Sequence, residues 1–217
     1  MPYIHFRSSL TIASRLRVWM TCRVGDKLVN SLLGRPATTI GILEQLDPVY
    51  TDLVSGQDRG LKCMVAAYRI VSIIDEINTK LYSEQDVRPA VVEQLLQSID
   101  AWKRDCLPSL QPGVQETSLL PGDASTDPKQ GSVGIVHVSC LYYFAVILAT
   151  RPVFISALTL QQGQKDQESP MSEACLDAAV FLAQTCVEAL DTGLLASNMC
   201  IMKYVTASPC PAAMLTI

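Results

Sequence analysis

Histidine is nearly missing from this sequence: His5 and His137 are the only two among 217 residues. His137 stands near the start of an apolar stretch, where a satisfied core histidine is a simpler reading than a general base. No H-E-x-x-H, G-x-S-x-G, P-loop or G-x-G-x-x-G pattern occurs, so the chain carries none of these catalytic or nucleotide-binding signatures. Strand signals are as scarce. There is no sustained apolar–polar alternation, no Asn-Gly hairpin and no repeat of fixed period. Eight cysteines are present, but no two are spaced C-x2-C. A zinc module needs closely paired ligands on a short loop, so the thiols read as buried, reduced core residues, and no metal or cofactor is expected on this chain. No uninterrupted run reaches the roughly 18 apolar residues that span a bilayer. The nearest, residues 138–149, halts before Arg151-Pro152 and reads as a fully buried core helix.

What is present is apolar and helical. The chain is 49% hydrophobic and 18% charged, with a net charge of -4. That composition suffices for a core and argues against the whole chain binding nucleic acid. The charge is uneven. Residues 1–35 hold six Arg or Lys and one acid, Asp26, which leaves eleven basic and twenty acidic residues for the remainder. The basic, serine-containing start is also how a mitochondrial presequence reads, although here it runs without a break into an apolar helix.

Apolar spacing places helices near residues 9–33, 58–82, 89–106, 132–150 and 171–192. The second repeats Leu61, Met64, Tyr68, Val71, Ile74, Ile77 and Leu81 on one face. The third carries Val92, Leu95, Leu96, Ile99, Trp102 and Cys106 and is expected to stop at Pro108. The fifth turns Cys175, Ala178, Ala179, Leu182, Cys186, Ala189 and Leu190 inward. Residues 108–132 are rich in Pro, Gly, Ser, Thr and Asp and read as an internal flexible loop. The expected fold is all-α: an irregular domain of packed antiparallel helices occupying residues 1–217, and partial. The apolar residues near 196–217 suggest a continuation that would cover them.

Residues 17–36, RVWMTCRVGDKLVNSLLGRP, say more than their periodicity. Gly34 can end a helix in the left-handed conformation and Pro36 forbids its continuation. The order Arg17-Val18-Trp19, then Asp26, then Gly34-Arg35-Pro36 resembles the middle homology region of fungal zinc-cluster transcription factors. That helical regulatory domain follows a six-cysteine DNA-binding module. Met20 stands where the family often has a second Trp. The resemblance continues through Ile99, Trp102, Leu107 and Pro108, and through Leu141, Tyr142 and Tyr143 running into Arg151-Pro152. The helix over 172–191 falls where the family has one containing Ala and Cys. Order and rough spacing hold across residues 9–195.

The resemblance implies a nuclear regulatory domain, non-enzymatic, that controls DNA-dependent transcription through effector sensing, intramolecular contacts or homodimer and partner contacts. It implies zinc only in the DNA-binding module that this chain lacks, no direct nucleic-acid contact by this chain, and no membrane. It supplies no residue-level ligand site, so Arg17, Trp19, Asp26, Gly34, Arg35, Pro36, Trp102, Tyr142, Tyr143, Arg151 and Pro152 stand as structural signature residues. Arg35 and Arg151 are each expected just past a helix end, where a guanidinium bonds free carbonyls and complements the dipole for roughly 0.3 to 1 kcal/mol. Two alternatives remain. One is a non-catalytic helical interaction scaffold, cytoplasmic rather than nuclear. The other, remote, is a helical enzyme of the terpene-cyclase type built on Asp75-Glu76. Those carboxylates are adjacent, point apart on a helix and lack a second acidic motif.

Overall fold

A computed structural model describes residues 3–33, 35, 59–110, 128–160 and 170–194. The described residues are helical, with no strand among them. Five α-helices follow in order: α1 (Tyr3–Leu32), α2 (Arg59–Ile77), α3 (Pro89–Leu110), α4 (Pro128–Leu160) and α5 (Pro170–Asp191). A π turn over Asn78–Ser83 extends α2 without a break. The all-α reading of the sequence holds.

α2 is the centre of the molecule. It packs against α1, α3 and α4, while α5 leans on α4. The single stripe expected from its spacing is therefore too narrow. Ile70, Val71, Ile74 and Ile77 are fully enclosed, and Cys63, Ala66 and Ala67 are buried with them, whereas Leu61 and Met64 are only half-buried. A helix with neighbours on several sides buries most of its circumference. α3 keeps to its predicted face, burying Val92, Leu95, Ile99, Trp102 and Cys106. From α4 come Val138, Leu141, Phe144, Ala145, Leu148 and Ala149, and from α1 Met20, Val24 and Leu28.

Two prolines do not end their helices. Pro108 lies inside α3, which runs on to Leu110. Pro152 lies inside α4, which continues to Leu160. A proline within a helix removes the amide that would bond the carbonyl four residues back. At Pro108 that carbonyl belongs to Arg104, on an exposed turn near the helix end. At Pro152 it belongs to Leu148, which is 8% exposed, and there a partner from another element takes over: the Tyr82 hydroxyl donates to the Leu148 carbonyl at 3.0 Å. The helix survives its proline because the broken rung is repaired from outside. Its greater length also changes the membrane arithmetic. Ser132–Thr159 is long and apolar enough to cross a bilayer by length and composition, with a mean hydropathy of 1.9, and half of that window is buried inside the protein. A helix that crosses the core of a globular domain passes the same test.

Helix ends follow recognisable chemistry. The Arg35 amide donates to the Asn30 carbonyl at 2.8 Å, a six-to-one bond of the kind that closes a helix end. Gly34 and Pro36 themselves lie outside the described residues. α5 ends in the same way. Gly193 sits at φ 70°, its amide donates to the Leu190 carbonyl at 3.0 Å, and the Leu194 amide donates to the Ala189 carbonyl at 2.9 Å. After the π turn the chain leaves through Gln85 at φ 54°, a conformation costly for a residue with a Cβ. The expected loop over 108–132 falls mostly outside the described residues, and both of its edges are helical.

Candidate functional site

The signature residues divide into two groups that the fold places in different regions. The first lies on α1 and meets α2. Trp19 packs its ring on Tyr68 at 5.7 Å between centroids, and the Arg23 guanidinium stands over Trp19, 5.7 Å from its ring centroid. Arg17 is exposed, and its backbone carbonyl accepts the Thr21 hydroxyl at 2.8 Å. Asp26 serves the end of its own helix: the Asn30 side-chain amide donates to the Asp26 carboxylate at 2.8 Å and to its backbone carbonyl at 2.9 Å. An ion pair joins the two helices one residue later. Lys27 Nζ lies 3.1 Å from Asp75 Oδ2 on α2. Glu76 meanwhile accepts from Lys80 at 2.7 Å on its own helix. Each carboxylate of the Asp75-Glu76 pair thus faces a separate lysine, as their divergent directions on a helix require.

The second group forms an aromatic ladder across α3, α4 and α5. Trp102 stacks on Tyr142 with centroids 6.1 Å apart, Tyr142 meets Tyr143 edge-on at 5.2 Å, and Tyr143 stacks on Phe181 at 5.7 Å. Trp102 also reaches α2, its indole N–H donating to the Ala66 carbonyl at 3.0 Å. Lys103 sits over Tyr142 at 5.1 Å from the ring and donates to its hydroxyl at 3.3 Å. The rings hold four helices in one arrangement through offset and edge contacts, which add to the stabilisation from simple burial. Phe181 is the member that sequence reading missed. Its only signal is its position beside the Cys- and Ala-rich stripe of α5.

Arg151 does not stand beyond a helix end. It lies mid-helix on α4, beside Tyr82 of the π turn and Cys175 of α5. Burial pushes the Tyr82 phenol up to about 12 against the opposing pull of the Arg151 charge. Tyr82 as a whole residue is 37% exposed, but its hydroxyl is turned in to the Leu148 carbonyl, which agrees with the direction of that shift. Arg35 is exposed, and its contribution to the end of α1 is made by its backbone amide.

A small second core lies between α4 and α5, where Cys140, Cys186 and Ala189 are enclosed by Val133, Val136, Leu182 and Leu194. Cys140 is held above the ordinary thiol range by its interaction with Cys186 and by burial, while Cys186 is held below it. Neither is in a disulfide, and the same holds for buried Cys63, Cys106 and Cys175 and exposed Cys22. His137 is partly buried, and burial lowers its pKa. Among the described residues, no three His, Cys, Asp or Glu side chains gather as a metal site.

The arrangement is one of packing, capping and ring contacts. Comparison with known families, curated proteins and solved structures finds no matching family model, no matching protein and no matching fold.

Proposed function

We propose that this chain is the regulatory middle region of a fungal zinc-cluster transcription regulator. In this reading it acts in the nucleus without catalysing a reaction, and it controls transcription through helical contacts within the regulator, with a second copy or partner, or with a small effector. The observation that supports the reading is the ladder Trp102–Tyr142–Tyr143–Phe181. Two separate pieces of the resemblance, the Trp motif and the Tyr-Tyr motif, meet in one interhelical assembly, which is what a shared domain architecture requires of motifs that recur in fixed order. Zinc belongs to the DNA-binding module in this reading, and this chain touches no DNA.

The test joins the chain to a heterologous DNA-binding module with its own reporter and nuclear signal. The fusion should change reporter output relative to the module alone, and Trp102→Ala with Tyr142→Ala should abolish that change. Unchanged output from a folded, expressed fusion overturns the reading. A second, scaffold reading is favoured by one observation, the row of exposed apolar side chains on α5. A tagged chain that stays outside the nucleus and associates with no transcription regulator would put the scaffold ahead.

A further inference from the structure

α4 and α5 run antiparallel, and contacts other than the thiols set their register. Thr150 lies beside Cys175, Tyr143 stacks on Phe181, and Val133 and Val136 pack with Ala189 and Leu194. As the residue number falls along α4 it rises along α5. Position 140 therefore comes opposite the stretch between Phe181 and Ala189, and there its side chain joins that of Cys186 in one small buried core. Cys63 and Cys106 belong to the large core instead. The two facing thiols are not equivalent. Cys140 is 1% exposed and Cys186 8%, so a small solute reaches Cys186 first. Interaction with Cys140 also holds Cys186 below the ordinary thiol range, which raises its share of nucleophilic thiolate, whereas Cys140 keeps its proton.

We propose that Cys140 and Cys186 are a redox pair: hydrogen peroxide oxidises Cys186, and Cys140 then closes a disulfide that fastens α5 to α4. In the first step the Cys186 sulfur attacks one peroxide oxygen. The O–O bond breaks, Cys186 becomes a sulfenic acid and water leaves. In the second step the Cys140 sulfur attacks the Cys186 sulfur. The S–O bond breaks, and the departing hydroxide takes the Cys140 proton and leaves as water. Two thiols and one hydrogen peroxide thus give one disulfide and two waters, the sulfurs losing the two electrons that the peroxide gains. A dithiol reductant reverses the change by thiol–disulfide exchange. The bridge joins the facing sides of two helices already in register, so its effect is to suppress opening of α5 away from α4. This inference stands independently of the transcriptional reading.

The unaltered full chain, reduced and then exposed to hydrogen peroxide, tests it. After remaining thiols are blocked and the chain is digested without reductant, mass spectrometry should find the Cys140 peptide linked to the Cys186 peptide within one chain. The linked form should be lighter by two hydrogens, and dithiothreitol should restore it. Amides of α5 from Ala178 to Ala189 should exchange about tenfold more slowly in the linked form. Cys140→Ala should leave Cys186 as a sulfenic acid that dimedone traps, and Cys186→Ala should leave Cys140 unmodified. Should either variant lose its fold, the mapping of the unaltered chain still decides. Oxidation confined to other cysteines, with Cys140 and Cys186 both recovered as thiols, overturns the proposal. So does linkage of either one to a different cysteine or to a second chain. Unchanged exchange of α5 in the linked form overturns the fastening of α5 to α4.

Discussion

The hydroxyl of Tyr82 completes the hydrogen bond that Leu148 loses to Pro152. The donor comes from the π turn, the acceptor from the middle of α4, and the two are 66 residues apart in sequence. Without that donor a mostly buried carbonyl would be left unsatisfied, a cost of about 1–3 kcal/mol. Tyr82→Phe should therefore lower stability by about 1–2 kcal/mol, read as a shift in the denaturant midpoint. Pro152→Ala restores an amide to the same carbonyl, so Tyr82→Phe should cost less in that background. Additive losses in the double-mutant cycle would show the repair to be unimportant.

The same phenol gives a pH signature. Its folded pKa is raised to about 12, above the unfolded value near 10, so the folded state holds the proton more tightly. The associated stability is fully present below pH 10 and is lost as pH rises through about 12. Melting temperature followed across that window should fall more steeply for the unaltered protein than for Tyr82→Phe. Parallel curves would contradict the assignment.

Lys27 and Asp75 offer a second, independent test. The Lys27 side chain is 10% exposed and that of Asp75 33%, so removing the carboxylate leaves an ammonium with little water around it. Asp75→Asn should cost about 1–3 kcal/mol after allowance for the partly solvated partner. Lys27→Met should then recover part of the loss in the Asp75→Asn background. If Asp75→Asn is neutral in thermal denaturation, the pair contributes nothing to the packing of α1 on α2.

Gly134 sets how closely α4 approaches α2. A Cβ there would lie 2.9 Å from Cys63 Sγ and 3.0 Å from Cys63 Cβ. Gly134→Ala would gain up to about 1 kcal/mol of helix propensity. The overlap would cost about 1–3 kcal/mol, so the net effect should be a modest loss. Cys63→Ala removes the nearer atom and should make Gly134→Ala less damaging. A stabilised Gly134→Ala single variant would show that the two helices part easily.

Much of the fold was legible because helices announce themselves by spacing. The α3 face from Val92 to Cys106 emerges as read, and the five helical segments fall near their expected places. What escaped was non-local. Pro152 looked like a terminator because nothing in its neighbourhood reveals that Tyr82 will serve Leu148. The Lys27–Asp75 ion pair between α1 and α2 is of the same kind, since nothing near either residue in sequence marks the other as its partner. Leu190 was assigned inward because two apolar stripes on one helix cannot be ranked until the neighbour is in place. For the signature residues, Trp102, Tyr142 and Tyr143 are brought together, Trp19 is packed elsewhere on Tyr68, and Arg151 lies within a helix. Phe181 joins the ladder from a position that periodicity alone does not distinguish.

The π turn over Asn78–Ser83 also makes chain length itself a structural variable. A π turn holds more residues than an α turn, so side chains beyond it are rotated from where a continuous α-helix would aim them, by about 100° for one added residue. Deleting one residue between Ile77 and Tyr82 would let α2 wind on with ordinary hydrogen bonds, and the local helix would gain. Tyr82 would then leave the side that faces Leu148, and α4 would be left with an open rung at its proline. The segment is thus a phase adjuster whose residue count matters more than its composition: conservative substitutions there should be mild, and a single deletion should lower the melting temperature of the whole domain.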